Sequence, residues 1–218
     1  MPRKIRVRYL LFLPERAPRP RATGWPLILF LHGAGERGTR LSKVSAHGPP
    51  RIVQEQPDFP FVVVSPLCAA GQLWSNDLLL ALLEEILDHY PVDRSRVYLT
   101  GLSMGGYGTW NLGLAHPERF AAIAPFCGGG DILPLLLAAP KQLRAARTLG
   151  VWAFHGGEDP SVPLAESERM VNSLREAGNP AKLTVYPEAG HDCWTQTYRD
   201  PAFYAWLLSY QQRGSHRA

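Results

Sequence analysis

Cysteines and long apolar runs are both scarce in this chain, and each shortage excludes something. The three cysteines, Cys68, Cys127 and Cys193, form no CxxC pair and, being odd in number, cannot all be bridged. That argues against a disulfide-built secreted scaffold and for a reducing compartment. No apolar stretch reaches the ~18 residues a membrane span requires. The N-terminus imitates a leader, with Arg and Lys ahead of Tyr9-Leu10-Leu11-Phe12-Leu13. The run is too short, however, and Pro14-Glu15-Arg16 stands where small residues should mark a cleavage site. A cytoplasmic chain with no membrane partner is expected. Acidic groups are missing only from the first residues, where Arg3, Lys4, Arg6, Arg8, Arg16, Arg19 and Arg21 face Glu15 alone. The net charge of +4 is therefore local, and the rest of the chain is near neutral. A nucleic-acid surface would need a basic stripe across a folded face with stacking aromatics, so no nucleic-acid partner is expected.

What is present reads as globular. Hydrophobic residues make up 45% and charged residues 19%, so disorder is excluded, and 218 residues suit one domain over 1–218. Short apolar runs bounded by turn residues predict buried parallel strands at Leu27–Leu31, Phe61–Ser65, Val97–Thr100, Ala121–Pro125, Val151–His155 and Leu183–Tyr186. Helical spacing lies between them at Ser75–His89, which opens on a serine cap, and at Gly105–Ala115, Leu164–Ala177 and Pro201–Gln212. Strand and helix alternate throughout. The pattern predicts an α/β fold, a mostly parallel sheet with helices on both faces. Ile5–Leu13 adds an antiparallel edge strand, and residues 14–26, rich in Pro and Arg, form a loop.

Chemistry concentrates at Thr100-Gly101-Leu102-Ser103-Met104-Gly105-Gly106. This is G-x-S-x-G between a predicted strand and a predicted helix. A serine on so tight a turn projects its hydroxyl above the sheet, and side chains two positions away on either side would clash. Ser103 is the candidate nucleophile. It needs a base, and the base needs an orienting acid; with this turn the chain order is serine, acid, histidine. His191, in the loop after Leu183–Tyr186, is the candidate base, while His155 reads as a packed histidine and His216 lies in a polar tail. The acid follows Val151–His155 in Gly156-Gly157-Glu158-Asp159. The rigid turn Pro160-Ser161-Val162-Pro163 favours Asp159 over Glu158, and Asp192, adjacent to His191, is badly placed. Oxyanion donors are expected from the backbone N–H of Met104 and, in the loop after Leu27–Leu31, of Ala34, with Gly35 the alternative.

The same early loop holds a rival. Residues 33–38, Gly-Ala-Gly-Glu-Arg-Gly, match the dinucleotide fingerprint G-x-G-x-x-G, which should open a helix at once. Thr39–Pro50 shows little helical periodicity and ends in Gly-Pro-Pro, and Glu55 and Asp58 precede the next strand instead of closing it. The dinucleotide reading fails on context.

With these residues in hand, the chain resembles the α/β-hydrolase superfamily, in particular bacterial esterases of the dienelactone-hydrolase and phospholipase/carboxylesterase type. The matching segments are Pro26–Gly38, Thr100–Gly106, Phe154–Pro163 and Gly190-His191, in the expected order. The resemblance implies ester hydrolysis through an acyl-enzyme, with no metal and no cofactor. Dienelactone hydrolases use a cysteine nucleophile, so Ser103 departs from that substrate. Residues 126–150 have room for the loop Gly128-Gly129-Gly130 and about one helix, so an open site for soluble, short-acyl esters is expected. Trp74 and Trp194, in predicted loops, are candidate walls of the cleft; Leu133–Leu137 reads as core, and Cys193 as structural. A peptidase, amidase, thioesterase or acyltransferase could use the same triad. A hydrolase-fold binding protein without turnover is the reading from another class. Homo-oligomerisation is left open.

Overall fold

A computed structural model describes residues 6–14 and 24–212 of the chain. The basic residues Arg3, Lys4, Arg16, Arg19 and Arg21, the start of the proposed edge strand at Ile5, and His216 lie outside them. Among the described residues seven strands form one sheet: β1 (Tyr9–Phe12), β2 (Trp25–Leu31), β3 (Val62–Pro66), β4 (Val92–Leu102), β5 (Ala122–Phe126), β6 (Gly150–Gly156) and β7 (Lys182–Tyr186). Their spatial order is β1-β3-β2-β4-β5-β6-β7. Only β1 runs antiparallel, with Tyr9 opposite Pro66; all other pairs are parallel.

Among the described residues, eight α-helices accompany the sheet: α1 (Pro49–Glu55), α2 (Asn76–His89), α3 (Met104–Ala115), α4 (Leu133–Leu136), α5 (Pro140–Thr148) and α6 (Leu164–Glu176) between strands, and α7 (Trp194–Arg199) and α8 (Pro201–Leu208) after β7. Because neighbouring strand residues point to opposite faces, β2 feeds two cores. Leu27, Leu29 and Leu31 pack with Leu79, Leu83 and Ile86 of α2, Trp110 of α3 and Met170 of α6. Ile28 and Phe30 pack on the other face with Ile52 of α1, Tyr198 of α7 and Phe203 of α8. Both faces of the sheet are thus covered, and the parallel strands read as unbroken apolar runs for that reason. The serine expected to cap α2 does so: the Ser75 hydroxyl accepts from the Leu78 amide.

Four expectations are corrected. Gly48-Pro49-Pro50, read as the end of an irregular stretch, opens α1; Gly48 takes φ 67° and both prolines occupy the first helical turn, where their missing N–H groups cost nothing. Residues 126–150 hold two short helices, α4 and α5, and not one. Of Leu133–Leu137 only Leu135 is buried; Leu133, Leu136 and Leu137 are exposed. Trp194 opens α7 and does not lie in a loop.

Candidate active site

The carboxyl ends of β2, β4, β5, β6 and β7 meet at one edge of the sheet, and the candidate residues are built there. β4 turns directly into α3 at Ser103, whose backbone takes φ 54° and ψ −118°. A non-glycine residue in the left-handed region is costly, of order 1–3 kcal/mol, and such strain gathers at functional sites. The flanking glycines show why the turn tolerates nothing larger. A Cβ on Gly105 would run into the Leu31 carbonyl oxygen, and one on Gly101 would lie 2.5 Å from the Gly105 carbonyl and 2.7 Å from that of Leu31. The turn is therefore packed backbone on backbone against the end of β2. Its own amide is anchored too: Ser103 N–H donates to the Phe126 carbonyl (2.9 Å) on β5.

Ala34 belongs to a single 3-10 turn, Ala34–Glu36, immediately after β2. Gly33 abuts Leu102, since a Cβ there would lie 2.9 Å from the Leu102 side chain. The Ala34 loop and the Ser103–Met104 turn are thereby neighbours. His32 fixes this loop from beneath. It is buried, its Nε2 accepts from the Cys68 amide (3.0 Å), and the remaining Nδ1–H donates to the Gly33 carbonyl (2.7 Å). In a trans peptide the carbonyl of Gly33 and the N–H of Ala34 point in opposite directions, so holding the first aims the second away from His32. Burial lowers the His32 pKa, with the Gly33 carbonyl and Glu36 acting against it, and keeps the ring neutral as this arrangement requires.

Asp159 and His191 come together from the loops after β6 and β7. His191 Nδ1–H donates to Asp159 Oδ2 at 2.7 Å. The other carboxylate oxygen accepts from the amides of Ser161 (2.8 Å) and Val162 (3.0 Å), so the turn through Pro160 holds the carboxylate in place. Its side chain is fully buried. Burial pushes its pKa up, but the hydrogen bonds from His191, Val162 and Ser161 outweigh it, and the net shift is downward. Glu158 is exposed, and its amide donates to the Ala189 carbonyl in the His191 loop. The loops approach this closely because Gly156 and Gly157 sit against the carbonyls of Gly190, Ala189 and Pro187, where a Cβ has no room. His155 is fully buried, with Nε2–H donating to Val162 (2.9 Å) and Nδ1 against the Ser167 hydroxyl (2.7 Å).

Cys127, His155 and Asp159 bring candidate ligand atoms within 4.8 Å of one another. The histidine nitrogens, the carboxylate and the thiol already have partners in the protein, so the cluster is not an open metal site.

Beside Met104 lies a cleft of about 440 Å³ lined by Leu73, Trp74, Met104, Tyr107, Gly108 and Asn111. Trp74 forms its wall, anchored by Nε1–H to the His32 carbonyl (3.3 Å) and set edge-on to the His32 ring. Trp194 does not line this cleft. It is 7% exposed and stands edge-on to His191, ring centroids 5.2 Å apart, so it buttresses the histidine. Tyr107 and Asn111 escaped the sequence reading, although both follow Ser103 at helical spacing on α3.

The family model for the dienelactone hydrolase family matches residues 70–216, more than half of the chain. The chain belongs to the dienelactone hydrolase family. A Methylorubrum extorquens protein that bears the provisional name carboxymethylenebutenolidase is 34% identical over 100 residues, 45% of this chain and 34% of that protein. A Pseudomonas fluorescens poly(3-hydroxyoctanoate) depolymerase is 26% identical over 199 residues, covering 79% of this chain and 70% of the relative. Among solved structures, a thermostable esterase superposes with a TM-score of 0.80 at 32% identity, over 94% of this chain and 59% of that one. The chain thus spans about a third of the first relative and little more than half of the esterase. The seven-stranded sheet and these neighbours make the architecture an α/β-hydrolase fold. Among the described residues, no helix is long and apolar enough to cross a membrane.

Proposed function

We propose that the chain is a serine carboxylesterase working through an acyl-enzyme, with Ser103 as nucleophile, His191 as base and Asp159 as the acid that orients it. The observation that carries the reading is Ser103 at φ 54° on a strand-to-helix turn, at the same sheet edge as the Asp159–His191 pair. Asp159 accepts the hydrogen bond from His191 Nδ1–H, which leaves His191 Nε2 as the acceptor for a serine proton. Ser103 Oγ attacks the ester carbonyl, His191 receives the proton and returns it to the departing alcohol, and water then repeats the sequence on the acyl-enzyme. The amides of Met104 and Ala34 hold the oxyanion, each donor supplying about 3 kcal/mol to the transition state. Family membership and the esterase among the structural neighbours support hydrolysis of an ester.

The substrate reading is a soluble ester with a short acyl chain. Between β5 and β6 the chain has only α4 and α5 and no large cap, and the cleft wall at Leu73 is open to solvent. The three free thiols suit a cytoplasmic setting. The test is turnover of p-nitrophenyl esters of increasing acyl length by the protein and by Ser103→Ala. Turnover should peak at short chains and fall by at least roughly 10³-fold in the variant. A long-chain optimum, the direction in which the name of the Pseudomonas relative points, would keep the triad and discard the open-site argument. Absence of both turnover and fluorophosphonate labelling of Ser103 would sink the esterase reading and favour a binding role.

A further inference from the structure

Cys127 and Cys193 occupy an unusual place. Cys127 ends β5 one residue beyond Phe126, the carbonyl partner of the Ser103 amide, and is the only described non-glycine residue besides Ser103 with positive φ, 45°. Cys193 lies two residues after His191, its amide bonded to the His191 carbonyl. Both side chains are buried. The Cys127 thiol donates to the His191 carbonyl (3.0 Å), and the two sulfurs are 3.0 Å apart across 66 residues of chain. The separation is about 1 Å longer than a covalent S–S bond of ~2.05 Å.

We infer that Cys127 and Cys193 form a disulfide-forming site that regulates the triad: a small peroxide closes the bond, and closure slows turnover by shifting the His191 loop. The regulatory part rests on the esterase reading above. One sulfur attacks a peroxide oxygen, the O–O bond breaks, and a sulfenic acid and water result; the second sulfur then displaces a second water and forms the S–S bond. The two thiols lose two electrons, the peroxide gains them, and both thiol protons leave in water. Bulky disulfide oxidants cannot reach a pair so buried, and the Cys193 thiol, pushed up by its contact with Cys127 and by burial, is slow to ionise. The pair is therefore a sluggish sensor, but a sulfenic acid formed on either sulfur meets its resolving thiol at once.

Closure has two consequences. The His191 carbonyl loses its S–H donor, and the sulfurs must close by about 1 Å, through displacement of β5's end, of the His191 loop, or of both. Misplacement of a catalytic group on that scale can cost up to ~10²-fold in rate. The bond also ties together residues far apart in sequence, which restricts the unfolded chain.

The test treats the full chain with hydrogen peroxide and follows thiols, mass, melting and turnover. Titratable thiols in denaturant should fall from three to one, a Cys127–Cys193 linked peptide should appear, and the melting midpoint should rise on the order of 5 °C. Turnover should fall roughly tenfold or more and return with dithiothreitol. Cys193→Ala should abolish the linkage and the reversible loss, and Cys127→Ala should repeat this if it folds, whereas Cys68→Ser should retain both. No linked peptide, or a linked peptide with turnover unchanged, overturns the proposal. Linkage and melting are read without turnover, so a protein inactive on every ester counts against the esterase reading while the mass still decides whether the site exists.

Discussion

Asp159 divides its work between two oxygens, and that division makes a sharp expectation. Asp159→Asn keeps an oxygen for the amides of Ser161 and Val162, so the turn survives. The new amide faces His191 Nδ1 as a donor and forces the wrong tautomer. The rate should drop roughly 10⁴-fold with the fold retained, read by steady-state kinetics beside circular dichroism. Stability should respond to pH as well. A carboxyl whose folded pKa lies below its ordinary 3.8 contributes fully above that value and loses its contribution as pH falls through the folded one. The melting gap between the protein and Asp159→Asn should hold above about pH 5 and close on acidification. Rising pH does not remove it. The turn that fixes the Asp159 carboxylate was readable because Pro160-Ser161-Val162-Pro163 is a local pattern. The contact between Cys127 and His191 was not, because it joins the end of β5 to the loop after β7, 64 residues apart, and no local pattern registers it.

Between β4 and α3 the turn is limited by space, while the start of α2 is limited by a hydrogen bond, and the two should fail differently. Gly105→Ala drives a methyl group into the Leu31 carbonyl. Backbone cannot move aside cheaply, so a loss of about 3 kcal/mol or more is expected, with activity lost in whatever still folds. Ser75→Ala removes one cap and should cost about 1 kcal/mol with turnover retained, since it removes no group proposed to act on the ester. Denaturant melts and an ester assay of both variants separate these outcomes. The glycines of the turn and the cap of α2 were legible because sequence spacing carries them. α1 was not: a Gly-Pro-Pro that usually breaks structure begins a helix once Gly48 takes φ 67°. α7, six residues long, is too short for an apolar period to register, so Trp194 was misplaced.

Across the molecule, two cores flank one sheet, and the alternation along β2 that separates them was plain in the sequence as an uninterrupted apolar run. The cleft was not, since Leu73 and Trp74 reach Tyr107 and Asn111 only once α3 has packed on the sheet. The loop bearing Ala34 also links the site to stability of the whole chain through His32. Its folded pKa is lowered from 6.5, so as pH falls the unfolded chain takes the proton first. The contribution is complete above 6.5 and is lost as pH drops toward the folded value. His32→Gln can accept from the Cys68 amide and donate to Gly33 without titrating. Between about pH 7 and pH 5 the protein should lose more of its melting temperature than this variant; an equal loss would remove His32 from the account.

The glycines at 101, 105, 156 and 157 press main chain against main chain, and this bears on how such a protein can change over generations. The turn at Ser103 and the close approach of the loops after β6 and β7 rest on contacts between main-chain atoms, so drift elsewhere leaves them standing. Leu73 and Tyr107, which wall the cleft, are under no such constraint. On the esterase reading, new substrates can therefore be acquired by exchanging such wall residues one at a time, with the proposed chemistry inherited intact.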